Sequence, residues 1–230
     1  MEQAYALVLA NIKRAAQRAG RNPEDITLVA VSKGVDADAV NRLFLRGQID
    51  FGENRVQEMV HKMQLCDEKV CWHCIGQLQS NKVKYIINRV RLVQSLDRLS
   101  LAKEMDRQAQ KNGINSFALV QVRYDDDDLR GGIKPDAVLS FLDGAASMPN
   151  LRIEGLMCLP PKEADDAATR DCFDSLRTLY ENLAKERWPN VRMQTLSMGM
   201  SRDYEPAVEH GATMVRVGTA LFGSVIKHQM

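Results

Sequence analysis

The sequence predicts an α/β protein of the (β/α)8 TIM-barrel class, and three features carry that expectation. Eight short apolar runs recur along the chain, each followed by residues with helical periodicity. The chain has 230 residues, close to the roughly 250 that such a barrel uses. No Pro/Gly/Ser-rich linker divides it, so a single domain over 1–230 is expected. A doubly wound open sheet is the alternative, and eight repeats in one domain favour closure.

Val8, Ile12, Ala15 and Ala19 recur at helical spacing ahead of Gly20, which predicts an additional N-terminal helix over the first twenty residues. Thr27 to Val31 (TLVAV) is a β-branched, apolar run of the kind buried on both faces, and Asp36 to Leu45 returns to helical periodicity. Strand and helix then alternate: Asp50 to Phe51 with Asn54 to Leu65, Trp72 to Ile75 with Ser80 to Asn88, and Arg91 to Gln94 with Arg98 to Asn112. Phe117 to Val122 precedes Pro135 to Ala146, and Arg152 to Met157 precedes a long helix with Phe173, Leu176, Leu179 and Leu183 on one face. Met193 to Leu196 and Met214 to Val217 complete the strands.

Composition excludes several classes of function. The 31 basic residues balance 30 acidic ones, which gives no electrostatic track for nucleic acid and no attraction to an acidic membrane surface. No run approaches the roughly 20 apolar residues of a membrane span, and the N-terminus lacks the order of a signal peptide, so a cytoplasmic protein is expected. Five cysteines, an odd number, suit reduced thiols better than a disulfide framework. Cys66, Cys71 and Cys74 begin an iron–sulfur spacing. A strand through Cys71 to Ile75 would point Cys71 and Cys74 to opposite faces, and buried thiols are the simpler reading.

The last two strands carry the chemistry. Gly199 and Ser201 follow the seventh run, and Gly218 and Thr219 follow the eighth. Small residues there let an anion approach backbone N–H groups, and two such turns in succession can wrap one phosphate. In a barrel of this class the loops after strands seven and eight are the usual phosphate site. Arg216 lies inside the eighth run, where a guanidinium needs a polar partner. Lys33 directly follows the first strand, which neighbours the eighth in a closed barrel, so amine and phosphate grip share one end. An amine beside a bound phosphate ester points to Schiff-base chemistry with an aldehyde, and pyridoxal 5′-phosphate supplies both groups.

The segments VAVSK ending at Lys33, FGENRVQE (Phe51 to Glu58), WHCIGQLQSNK (Trp72 to Lys82), GLMCLP (Gly155 to Pro160), LSMGMSRDYEPAV (Leu196 to Val208) and GATMVRVGTALFG (Gly211 to Gly223) together resemble the pyridoxal phosphate homeostasis protein family. Its members are single barrels related to the N-terminal domain of alanine racemase, and the match runs from about Val29 to Gly223. The resemblance implies that Lys33 forms the Schiff base and that Arg216 sits at the ring nitrogen. It implies that Ser201, Gly218 and Thr219, with the backbone around Met200, hold the phosphate, and that Asn54 lines the cofactor's face. It further implies a cytosolic, monomeric carrier of pyridoxal phosphate, with apo-enzymes as recipients and no established catalytic reaction.

This chain departs from the family pattern in places. Arg55 stands where Tyr is usual after GEN, and Gln77 where Pro is frequent. Near the fifth strand Arg123 replaces Asn, while Asp127 and Arg130 keep the charge type of the usual Glu and Lys. These bear on the rim of the barrel more than on the cofactor residues.

Two other readings of the site remain. One is an amino-acid racemase of fold type III, which needs a second acid/base opposite Lys33; in alanine racemase a separate β domain of a partner subunit supplies it. Seven residues follow Gly223, which favours carriage. The other is an aldolase-type barrel using Lys33 on a sugar phosphate. Asp125 and Asp127 have the first EF-hand spacing, but Leu129 and Arg130 break the pattern, and a solvated acidic loop is expected. His73 is read as a hydrogen-bonded core histidine against an acid/base at the barrel mouth. Asn81 and Lys82 either close over the site or begin a helix, and Met198, Met200 and Met214 are read as packing.

Overall fold

The computed structural model describes residues 1–125 and 130–223. Its strands are β1 (Thr27–Val31), β2 (Asp50–Glu53), β3 (Cys71–Cys74), β4 (Val90–Leu96), β5 (Ser116–Val122), β6 (Leu151–Cys158), β7 (Val191–Ser197) and β8 (Met214–Val217). They form one closed barrel in sequence order, all neighbours parallel, with β8 returning to β1 from Thr27 opposite Met214 to Ala30 opposite Val217. The predicted barrel is therefore the observed one.

The helices are α1 (Glu2–Arg18), α2 (Ala37–Phe44), α3 (Val56–Leu65), α4 (Leu99–Asn112), α5 (Val138–Ala145), α6 (Asp166–Leu183), α7 (Tyr204–Glu209) and α8 (Thr219–Phe222). Asp36 caps α2 by accepting from Ala39 N–H at 2.8 Å, and Asp165 caps α6 by accepting from Ala168 N–H at 2.8 Å. After β3 the expected α-helix is instead a 3-10 segment, Ser80–Tyr85. Val83 within it and Ile86, which ends it, are both fully buried and three residues apart, and three residues per turn brings them to one side. Their β-branched side chains also disfavour an α-helix.

α7 and α8 have six and four residues, too few to cover the barrel where it closes. α1 completes that wall, with Tyr5, Val8, Ile12, Ala15 and Ala16 buried along one stripe. Beyond the helix, Arg21 Nη1 donates to the carbonyls of Val208 and Ala212 at 2.6 and 2.8 Å. No helix among the described residues is long and apolar enough to cross a membrane.

Apolar residues pack in two clusters. The larger lies between strands and helices and includes Leu28, Ala30, Phe51, Trp72 and Phe173. The smaller, Val29, Leu92, Leu119, Met157 and Met214, lies inside the barrel. Val29 belongs to one cluster and its neighbours Leu28 and Ala30 to the other, as strand alternation requires.

Gly155 sits where the pairing registers of β6 with β5 and with β7 both shift. Its φ is +145°, and a Cβ there would lie 1.9 Å from the Thr195 carbonyl oxygen. At the ends of β1 and β2, α3 sends Lys62 inward to pair with Glu53 and to donate to the Ser32 carbonyl at 2.7 Å. Glu53 also accepts from Ser32 Oγ at 2.7 Å.

Two stability measurements follow. Gly155→Ala is expected to lose roughly 3 kcal/mol or more in urea unfolding, because neither the clash nor the backbone angle can relax locally. Lys62→Met is expected to cost roughly 3–5 kcal/mol by leaving Glu53 buried without its cation. Adding Glu53→Gln should restore most of that loss, and equal losses in single and double variants would show that the pair is not the cause.

Candidate functional site

A cavity of about 990 Å³ opens at the carboxyl ends of the strands. Lys33 just past β1, Asn54 just past β2, Met200 and Ser201 after β7, Arg216 on β8, and Gly218 and Thr219 after β8 all line it. The structure thus brings to one cavity all seven residues that the sequence reading assigned to the cofactor.

The two turns are built together. Gly199 has φ +90°, and a Cβ there would come within 2.4 Å of Ala207 Cβ, so only glycine lets the chain fold under α7. Its carbonyl accepts from Arg216 N–H at 3.0 Å, which ties the first turn to β8. Ser201 Oγ accepts from the backbone N–H of Gly218 at 3.1 Å and of Ala220 at 3.2 Å. Two amides converge on one hydroxyl, whose own hydrogen is left to donate. Met200 borders the cavity, but its N–H is spent inside the turn on Asp203 Oδ1 at 2.5 Å. Burial pushes the Asp203 carboxyl up, opposed by that amide and by the charge of Arg216.

Arg216 is 3% exposed. Nη1 donates to Ser197 Oγ at 2.6 Å and Nη2 to the Cys158 carbonyl at 2.8 Å. Burial pushes the guanidinium down to about 10, which leaves it a cation at neutral pH. Two of its five N–H donors are engaged in this way, and it still borders the cavity.

Lys33 is exposed at the rim, and its amine has no hydrogen-bond or ion-pair partner among the described residues. The residue before it is held firmly, since Ser32 is bonded through side chain and carbonyl to Glu53 and Lys62. Burial pushes the Glu53 carboxyl up, and Lys62 and Ser32 oppose that.

Other residues fall as follows. His73 is buried, with Nε2 2.9 Å from Asp50 Oδ1 and Nδ1 3.1 Å from Gln94 Nε2, so it is a core histidine and not a group at the mouth. Arg55 is exposed on the cavity rim and pairs with Glu58 at 3.2 Å. Arg123 lies outside the cavity lining, on a short return off β5 in which its N–H donates to the Ile133 carbonyl at 2.9 Å. Asp127 and Leu129 lie outside the described residues.

Sequence reasoning missed the wall supplied after β6. Leu159, Pro160, Pro161 and Lys162 after β6, with Thr169 and Arg170 of α6, line the cavity as well. Arg130 joins them by donating to the Pro160 carbonyl at 2.9 Å, and it pairs with Asp125 at 3.4 Å. The GLMCLP segment marked the place, but nothing in its residue types indicated a ligand. Taken together, an amine, a hydroxyl over paired amides and a buried cation suit a small phosphate ester that carries a carbonyl group and a ring acceptor.

Comparison with known proteins agrees with that chemistry. The family model of the alanine racemase N-terminal domain matches residues 5–225. The chain is 41% identical to the pyridoxal phosphate homeostasis protein of Aquifex aeolicus over 94% of each chain. Among solved structures it is similar to PipY of Synechococcus elongatus PCC7942 with PLP bound, at 35% identity and TM-score 0.82, over 93% of this chain and 100% of that one. Alanine racemase of Clostridium difficile 630 shares the fold, at 19% identity and TM-score 0.70, over 94% of this chain and 55% of its own. The chain described here belongs to the pyridoxal phosphate homeostasis protein family, with the barrel of the alanine racemase N-terminal domain.

Proposed function

We propose that this chain binds pyridoxal 5′-phosphate at the mouth of its barrel, carries it reversibly as a Schiff base on Lys33, and serves cofactor homeostasis in the cytoplasm. The observation that carries the reading is the meeting of Lys33, Ser201, Arg216, Gly218 and Thr219, from distant parts of the chain, around one cavity. PipY, a relative at 35% identity, has a solved structure with PLP bound.

The cofactor supplies an aldehyde that condenses reversibly with primary amines. The protein's part is to hold and orient. Lys33 offers the amine on a rim anchored through Ser32, and Asn54 lines the neighbouring face. The Ser201 hydroxyl, its oxygen held by the amides of Gly218 and Ala220, donates to the phosphate, with Gly218 and Thr219 beside it and Met200 closing the wall. Arg216 would face the ring nitrogen, where a fixed cation would disfavour protonation and so weaken the ring as an electron sink. That electronic setting suits carriage better than carbanion chemistry. Recipients are apo-enzymes that take the cofactor onto their own lysines, and a monomer leaves the mouth open to them.

Purified protein mixed with pyridoxal phosphate and reduced with borohydride is expected to carry a stable adduct on the peptide containing Lys33. Lys33→Ala should abolish both the adduct and the accompanying absorbance band. An adduct elsewhere, or trapping by a sugar phosphate and not by pyridoxal phosphate, would overturn the reading. Exchange of an amino acid's Cα proton in heavy water above that of free cofactor would replace carriage by racemase-type catalysis. Ser201→Ala removes one hydroxyl donor, so it is expected to weaken binding of pyridoxal phosphate about tenfold. Weak binding of pyridoxal, which lacks the phosphate, should not change.

A further inference from the structure

The barrel interior contains an unbroken chain of polar side chains that begins at Arg216. Arg216 Nη1 donates to Ser197 Oγ at 2.6 Å, and Ser197 Oγ donates to Gln94 Oε1 at 2.7 Å. Gln94 Nε2 meets His73 Nδ1 at 3.1 Å, and His73 Nε2 meets Asp50 Oδ1 at 2.9 Å. Ser197 and Gln94 are fully buried and His73 is 2% exposed, while the Asp50 carboxylate, at the opposite end of the barrel, reaches solvent. Interiors of such barrels are ordinarily filled by layers of branched apolar side chains. A polar column is costly there unless every member is satisfied.

Donor and acceptor types fix the direction of the chain. Ser197 Oγ receives a hydrogen from a guanidinium that can only donate, so its own hydrogen goes to Gln94, which must present its oxygen. The amide nitrogen of Gln94 then faces His73, with a second contact to Met214 Sδ at 3.2 Å. Nδ1 of His73 therefore accepts, and Nε2 carries the hydrogen given to Asp50. Only one arrangement of the Gln94 amide and the His73 ring satisfies all the bonds at once. Reversing the amide would aim its NH2 at Ser197 and leave a hydroxyl hydrogen without its acceptor.

The geometry points to Ser197, Gln94, His73 and Asp50 as one positioning relay that sets the orientation of Arg216 toward the ring of the bound cofactor. None of the four lines the cavity, so any effect they have on the ligand passes through Arg216. Without the relay the guanidinium keeps the Cys158 carbonyl but loses the acceptor that fixes its rotation. The proposal rests on pyridoxal phosphate as the ligand.

The test is a double-mutant cycle read by affinity for pyridoxal phosphate and by the absorbance maximum of the loaded protein. Ser197→Ala and Gln94→Leu are each expected to weaken binding about fivefold and to shift the maximum by the same amount. The double variant should be no worse than either single one, because members of one relay fail together. Ser197→Thr, which keeps the hydroxyl, should restore both values, and it guards against a variant that merely folds poorly. Losses that multiply in the double variant, or wild-type affinity and spectrum in both single variants, would overturn the positioning role while the Lys33 adduct still formed. Absence of that adduct in the wild-type protein would overturn the cofactor reading and the relay's proposed purpose with it.

Discussion

The buried charge of Arg216 is the constraint to which the rest of the barrel is adjusted. Removing a guanidinium from water costs several kcal/mol unless hydrogen bonds replace its hydration, and burial at this site depresses its proton affinity to about 10. The replacement comes from Ser197 on β7 and from the carbonyl of Cys158 on β6. Satisfying Ser197 in turn requires Gln94, and satisfying Gln94 requires His73 and Asp50. One cation at the ligand end thus accounts for a polar column through a space that apolar layers would otherwise fill.

A second buried charge shapes the other half of the site. Lys62 and Glu53 meet beneath the loop that carries Lys33, and both bind Ser32. Such pairs contribute little net stability compared with apolar packing, but removing one member is expensive. Their effect is geometric: α3, β1 and β2 are locked together at the point where the chain leaves the barrel. The amine of Lys33 can then remain exposed and mobile about its own side chain while its backbone is held. The reversible carriage proposed for Lys33 would need that combination.

The closing seam is handled by local economy. Short α7 and α8 keep the turns after β7 and β8 close to the cavity, and α1 supplies the apolar cover that such short helices cannot. The tight turn at Gly199 and direct bonds between Ser201 and the next turn leave this end of the cavity compact. The part of the cavity wall after β6 contains prolines and the long basic side chain of Lys162.

The sequence by itself determined the barrel, its eight strands, the N-terminal helix and the residues that gather at the mouth. Those features are written in local patterns: apolar runs, helical periodicity, small residues after strands, and a basic residue inside a strand. It misjudged the segment Ser80–Tyr85, where packing of Val83 and Ile86 outweighed a weak helical pattern. His73 is the hydrogen-bonded core histidine that the sequence suggested, and only the tertiary structure decided that Met200 spends its amide on Asp203 and that Lys62 anchors the Lys33 loop. It alone joined Asp50, His73, Gln94 and Ser197 to Arg216. These partners lie on different strands, far apart in sequence, and no periodicity records which inward-facing side chains meet. Closure of the barrel brings them within hydrogen-bond distance, and the donor and acceptor chemistry of each side chain then fixes the direction of every bond.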